Sequence, residues 1–362
     1  MVDDVHTLSA APQHSHWPII GHQWAVELLR KISDGSGASQ PRHAYLFLGP
    51  RHIGKSTLAL TFARSLLCMG QSGRPCGRCR SCQLVERNAH ADLRLVQPLG
   101  KDGEVDRLDG TLRSEQAAEI VHEVALRPVE GRFKIILIQD FQAANATFAN
   151  KLLKTLEEPP ESVILLLTAT DRSLVLPTIL SRCQQFELRP IDSTTIEQTL
   201  MARSDVAVIR AKALARLANG RLGWALQQLQ QSSAEEERKG QVTTLLQLIR
   251  SSRVDRLAFA EKLASDRNSL RLFEMLELWI TWWRDVMLTQ SGCAEACSNI
   301  DYQSEIELLA KSVATDRAVK YVQLLRYIEK VLHHTVNTRL ALDVLLLQLP
   351  QANINPELAR GR

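Results

Sequence analysis

Aromatic side chains are scarce in this chain, 5% of 362 residues, and glycine and proline number only 17 and 13. A turn-rich all-β protein needs more of each, so a mostly helical or α/β chain fits better. Long apolar runs are missing too, and nothing approaches the ~18 residues of a membrane span. The opening MVDDVHTLSAAPQHSHWP has no basic start followed by an apolar core. No secretory signal is read there, and the cytoplasm is the expected compartment. Charge of one sign is absent as well: 44 Lys and Arg stand against 40 Asp and Glu, a net +4. So small an excess makes no general nucleic-acid surface by itself. What is present is a 45% hydrophobic, 23% charged composition over 362 residues, enough for two or three packed domains.

Residues 1–16 read as a loose tail. GHQWAVELLRKI (21–32) has helical spacing and is broken by SDGSGASQPR. AYLFLG (44–49) is a buried strand that passes through GPRHIGKST into the helical LALTFARSLLC. KIILIQD (134–140) and SVILLLTAT (162–170) are further apolar runs of strand length. Between them FANKLLKTLEE reads as a helix stopped by Pro159-Pro160. This alternation predicts a doubly wound, RecA-like parallel sheet through about residue 190. QPLGKDGEVDRLDG (97–110) reads as a charged surface loop without visible chemistry.

From Thr194 onward only amphipathic helical patterns remain: a short set over 194–231, a charged linker SSAEEERKGQ (232–241), and a larger set to about Leu349. The tail QANINPELARGR is expected to be mobile. The fold class is therefore α/β plus all-α. The expected domains are an α/β domain over 17–190 with a cysteine module at 68–82, a small helical domain over 191–240, and a larger one over 241–350.

Gly49-Pro-Arg-His-Ile-Gly54-Lys55-Ser56 fits the phosphate-loop pattern, with strand before and helix after. Glycines let backbone N–H groups turn toward phosphate oxygens at the positive end of the helix. Lys55 would reach the β/γ-phosphates and Ser56 would serve Mg²⁺, with Thr57 next in the same turn. The expected ligand is ATP or ADP, with Mg²⁺ possible. An active ATPase also needs an acid pair after a later strand, yet here Gln139 precedes Asp140 and only one carboxylate remains. The site reads as impaired for hydrolysis.

Four of the seven cysteines, Cys68, Cys76, Cys79 and Cys82, form C-x7-C-x2-C-x2-C. Three thiolates can surround one centre and Cys68 can complete a tetrahedron, which reads as structural zinc. An iron–sulfur cluster and redox thiols are the alternatives. Cys293 and Cys297, in a lone C-x3-C, and His333-His334 are assigned no function.

HAYLFLGPRHIGKSTLA, the cysteine knuckle, NKLLKTLEEPP and LPTILSRC together resemble the clamp-loader subunits of bacterial DNA polymerase III, members of the AAA+ superfamily. The resemblance covers about residues 17–230. Three departures separate the chain from the ATP-hydrolysing gamma/tau kind. Gln139-Asp140 replaces Asp-Glu, Gly223 of GRLGWAL replaces a lid-helix arginine, and VNTRLALDVLLLQL resembles the closing helix of delta-prime collars. The resemblance is thus to the delta-prime kind, some members of which lack the loop that Gly54, Lys55 and Ser56 keep here.

That resemblance implies that Arg182 of Ser181-Arg182-Cys183 acts in trans, as an arginine finger in a neighbour's ATP site. It makes Cys183 a packing residue. Thr170 matches a polar sensor position, although a plain strand-end threonine reads nearly as well. The implied partners are gamma/tau and delta subunits in a hetero-pentamer, with the sliding clamp and primed DNA reached through the complex, and no membrane. Leu272, Leu276, Trp279 and Trp283 form a stripe read first as core, with collar packing as an implied second use. Two rival readings stand: an active gamma/tau-like ATPase relying on Asp140, and a cysteine knuckle that binds DNA through Arg74, Arg78 and Arg80.

Overall fold

A strand without a polar side is stable only in a sheet covered on both faces, and the central strands here have none. The computed structural model describes residues 17–352 apart from 36–39, 71–72, 108–109, 204–205, 231–233, 266–268 and 333–335. Residues 1–16, the last ten residues and the His333-His334 pair lie outside the described residues. The chain divides into two units between Arg189 and Pro190.

The first unit runs α1 (Gln23–Asp34), β1 (Ala44–Leu48), α2 (Lys55–Leu67), α3 (Arg80–Glu86), β2 (Leu93–Val96), α4 (Ser114–Val124) and β3 (Lys134–Ile138). It continues through α5 (Ala146–Glu157), β4 (Val163–Ala169), α6 (Pro177–Leu180) and β5 (Gln184–Glu187). The five strands are all parallel, in the order β2-β3-β4-β1-β5. Every residue of β1, β3 and β4 is buried.

Alternate side chains serve opposite faces. Leu46, Ile136, Ile138, Leu165 and Leu167 join the core under α4 and α5. Tyr45, Phe47, Ile135, Leu137, Ile164 and Leu166 join the core under α1 and α2. Each such side chain contributes about 1.5–3 kcal/mol by leaving water. The two strands that sequence patterns miss, LRLV of β2 and QQFE of β5, lie at the sheet edges. An edge strand is covered less completely and needs no continuous apolar run.

The second unit is helical: α7 (Ser193–Met201), α8 (Val208–Leu217), α9 (Leu222–Gln230), α10 (Ala234–Arg250), α11 (Arg253–Ser265), α12 (Ser269–Gln290), α13 (Gln303–Ser312), α14 (Thr315–Leu332) and α15 (Thr338–Gln348). Helices α7–α9 enclose a small core of Ile196, Leu200, Ala211, Ala215, Ala218, Leu222 and Ala225. Helices α10–α15 enclose a separate, larger core. The expected linker over 232–241 is corrected: from Ala234 it is the start of α10. Its acids, Glu235, Glu236 and Glu237, occupy the first turn, where the helix dipole favours negative charge.

Helix α12 is the axis of the larger core. Leu276, Trp279 and Trp283 are fully buried as the stripe predicts, and so is the off-stripe Trp282. A central helix buries more than one stripe: Trp282 meets Tyr302 at 5.7 Å and Trp283 meets Tyr321 of α14 at 5.5 Å. Arg256 is buried as well, donating to the carbonyls of Leu248 (2.9 Å), Ile249 (3.1 Å), Leu346 (3.3 Å) and Leu349 (2.7 Å). Its charge thus rests on the carbonyl ends of α10 and α15, where the dipoles are negative. No described helix is long and apolar enough to cross a membrane.

Candidate functional site

Strand β1 delivers the chain into Gly49, whose φ is 141° and where an added Cβ would lie 2.6 Å from the Leu188 carbonyl oxygen. Gly54 precedes α2 with φ 107° and open space around the missing Cβ. Lys55 opens α2 and is buried, its Nζ donating to the carbonyls of Gly49 (2.7 Å) and Pro50 (2.8 Å). Burial pushes Lys55 down to about 8; Asp140 opposes this, and Arg107 and Arg51 reinforce it. Ser56 is half-buried and Thr57 exposed in the same turn. An ammonium steadied by loop carbonyls, with the start of a helix beside it, suits phosphate oxygens.

The acid position is built differently from the expectation. Asp140, just after β3, is buried in left-handed backbone at φ 53°. Its Oδ2 accepts from Arg107 Nε at 2.6 Å, and its backbone N–H donates to Thr168 Oγ1 at 3.0 Å. Gln139 Oε1 accepts from Gln97 Nε2 at 2.9 Å. The 97–110 loop is therefore not without chemistry, since it carries Arg107 onto the one carboxylate of the site. Mutual backbone bonds between Leu99 and Thr111, and Arg113 donating to the Gly100 carbonyl, anchor that loop. No spacing in the sequence signals the pairing.

Thr170 lies one residue past β4, and its backbone N–H, not its hydroxyl, is engaged, donating to Gln142 Oε1 at 3.2 Å. The hydroxyl at the acid position belongs to Thr168, which the sequence does not distinguish from the rest of the strand. The Mg²⁺ that the fold family implies does not fit this pair. The carboxylate is committed to a guanidinium, and an amide is a poor substitute ligand.

Arg182 follows α6. Its Nη2 donates to Glu157 Oε1 at 2.7 Å and its Nη1 to the Thr178 carbonyl at 2.9 Å, with the side chain 33% exposed. Cys183 packs into the core under α4 and α5. Gly223 lies in α9, and the nearby Arg221 is paired with Glu277 at 2.6 Å.

The four knuckle sulfurs all lie within 4.8 Å of one another and could hold a metal ion. Cys68 and Cys79 sulfurs are 3.9 Å apart, Cys76 and Cys82 sulfurs 4.0 Å. A tetrahedron with metal–sulfur bonds of ~2.3 Å has edges of about 3.8 Å, so the set fits. Backbone N–H groups of Gly70 (3.3 Å) and Cys76 (3.4 Å) donate to Cys68, that of Cys79 to Cys76 and that of Cys82 to Cys79, as suits thiolates. At Cys76, burial is outweighed by N–H donors from Arg78 and Cys79, which bring it down to about 6.

The module is tied to the sheet through Ser81, whose Oγ donates to the Leu67 carbonyl (2.7 Å) and meets His90 Nε2 at 2.9 Å. His90 Nδ1 accepts from the Asp92 N–H at 3.0 Å. Of the knuckle arginines, Arg74 donates to the Gly70 carbonyl, Arg80 pairs with Glu130 at 3.3 Å while staying 74% exposed, and Arg78 is exposed. Cys293 is exposed whereas Cys297 is buried beside Thr289.

The family model described as DNA polymerase III, delta subunit, matches residues 24–192, and its C-terminal counterpart matches 232–351. The DNA polymerase III subunit delta' of Pseudomonas aeruginosa is 30% identical over 317 residues, covering 86% of this chain and 93% of that protein. The Bacillus subtilis subunit delta' is 27% identical over 311 residues, covering 85% and 91%. The Haemophilus influenzae subunit tau/gamma is 29% identical over 344 residues, 89% of this chain but 48% of that protein. The chain thus spans about half or less of the length of the tau relatives it matches. With family models over both units and a delta' relative covered almost end to end, the chain belongs to the delta-prime family of DNA polymerase III clamp-loader subunits.

Proposed function

We propose that this chain is the delta-prime member of a cytoplasmic hetero-pentameric clamp loader, working beside gamma/tau and delta subunits to place a sliding clamp on primed DNA. The observation that carries this reading is a well-formed phosphate loop whose neighbouring acid is already engaged: Asp140 with Arg107, and Gln139 with Gln97. Gly49, Gly54, Lys55, Ser56 and Thr57 would hold the phosphates of ATP or ADP, with Thr170 near the strand end. A bound nucleotide would supply the phosphate charge that organises the loop. With its one acid neutralised, the chain contributes little hydrolysis of its own.

Its catalytic contribution is made to a neighbour. Arg182 sits on a partly exposed turn, held only by surface contacts. In the neighbouring ATP site its guanidinium neutralises charge developing on the γ-phosphate, an effect worth about 10³–10⁵ in rate for such fingers. The knuckle carries structural zinc, because four cysteines leave no open coordination position. Helices α7–α9 serve as the lid and α10–α15 as the collar.

The test is ATP turnover by the reconstituted complex with clamp and primed DNA. Arg182→Ala is expected to reduce it at least tenfold, and unchanged turnover would sink the finger assignment. Steady hydrolysis by the isolated chain, abolished by Lys55→Ala, would instead establish it as an ATPase in its own right.

A further inference from the structure

We infer that Arg107 is the resident cation of the phosphate-loop site, holding Asp140 in place of a divalent metal, so that nucleotide is taken up without Mg²⁺. This rests on the nucleotide-binding reading above and specifies its metal requirement. Three observations support it.

Asp140 is buried, and a buried carboxylate needs a partner; Arg107 Nε at 2.6 Å supplies one. A guanidinium stays charged at every pH the protein meets, so the pairing does not lapse in neutral solution. A divalent ion would have to displace a charge-assisted hydrogen bond and approach against like charge. Gln139 is a poor alternative, since its amide is neutral and its oxygen also accepts from Gln97.

Arg107 also belongs to the site and is not a stray surface charge. Its loop is pinned by the Leu99–Thr111 backbone pair and by Arg113 donating to the carbonyls of Leu99 and Gly100. Its side chain remains 46% exposed while its Nε is committed inward. Lys55 lies within electrostatic reach of Asp140, Arg107 and Arg51. Held at the loop by the carbonyls of Gly49 and Pro50, the Lys55 ammonium is itself a cation placed for phosphate oxygens.

The experiment is calorimetric titration of the whole chain with ADP, in EDTA and in excess Mg²⁺. Wild type is expected to show the same Kd within twofold in both buffers. Arg107→Ala frees Asp140, so Mg²⁺ should tighten its ADP binding at least tenfold, and adding Asp140→Asn should remove that gain. If Arg107→Ala does not fold, Arg107→Gln reads the same difference. A tenfold loss of wild-type binding in EDTA overturns the inference and leaves the nucleotide-binding reading intact. The inference is overturned in the same way if Arg107→Ala and Arg107→Gln bind and gain nothing from Mg²⁺. ADP binding by no protein in either buffer overturns both.

Discussion

Arg182 and Glu157 form an ion pair at 2.7 Å within one chain, joining the turn after α6 to the end of α5. Both side chains are partly exposed, 33% and 49%, so the pair contributes at most about 1 kcal/mol. A guanidinium so lightly held can exchange its carboxylate for a phosphate at small cost. Glu157→Ala should therefore change stability by only about 0.5 kcal/mol and leave turnover of the assembled complex intact, whereas Arg182→Ala lowers turnover. Equal losses in thermal unfolding and ATPase assays of the two variants would mean that the pair is only structural.

The cysteine geometry predicts bound zinc, one ion per chain by elemental analysis. Cys79→Ser should lose the metal and lower the melting temperature by several degrees, since metal affinity and folding are coupled. A brown iron–sulfur chromophore in the purified protein would refute the zinc assignment.

Asp92 accepts backbone N–H bonds from Val129 (2.6 Å), Glu130 (2.8 Å) and Gly131 (2.7 Å). Burial alone would raise its pKa, but these three bonds prevail and hold it below the ordinary aspartate value of 3.8. The unfolded chain therefore binds the proton more readily, and the stabilisation is complete above pH ~4 and lost as pH falls through the folded value. Asp92→Asn should cost about 2 kcal/mol at neutral pH, a penalty that shrinks on acidification in urea titrations.

Arg256 serves four carbonyls at the ends of two helices. Arg256→Met keeps much of the volume and strands those acceptors, at a cost of about 3 kcal/mol or more. The urea midpoint read by fluorescence of the α12 tryptophans should fall accordingly. An unchanged midpoint would mean that the carbonyls find other donors.

Lys55, brought down to about 8, must be protonated to attract phosphate. ADP affinity of the isolated chain is thus expected to hold below pH 8 and weaken above it, with the fall displaced upward because bound anion favours the charged lysine. Lys55→Ala should bind weakly with a flat profile. A wild-type Kd constant from pH 7 to 10 would rule out the role.

Much of the fold is legible in the residues alone. The apolar runs of β1, β3 and β4 announce a sheet buried on both faces, because only that setting tolerates strands with no polar side. The loop from Gly49 to Ser56 and the C-x2-C spacings are visible because their chemistry is local: the ligands sit within one or two turns of each other. Edge strands β2 and β5 are not legible, since partial cover removes the pattern. The acidic start of α10 passes for a linker because charge density looks alike in a solvated helix and a coil.

The sequence alone carries the near-neutral charge, the phosphate loop, the missing acid at Gln139 and the four clustered thiols. Folding adds the contacts between residues far apart in the chain. It sets Arg107 on Asp140, 33 positions away, and Arg182 on Glu157, 25 positions away. It also brings Arg256 to Leu349, 93 positions away. Such pairings leave no periodic trace, because they depend on where two loops end in space and not on any spacing along one helix or strand.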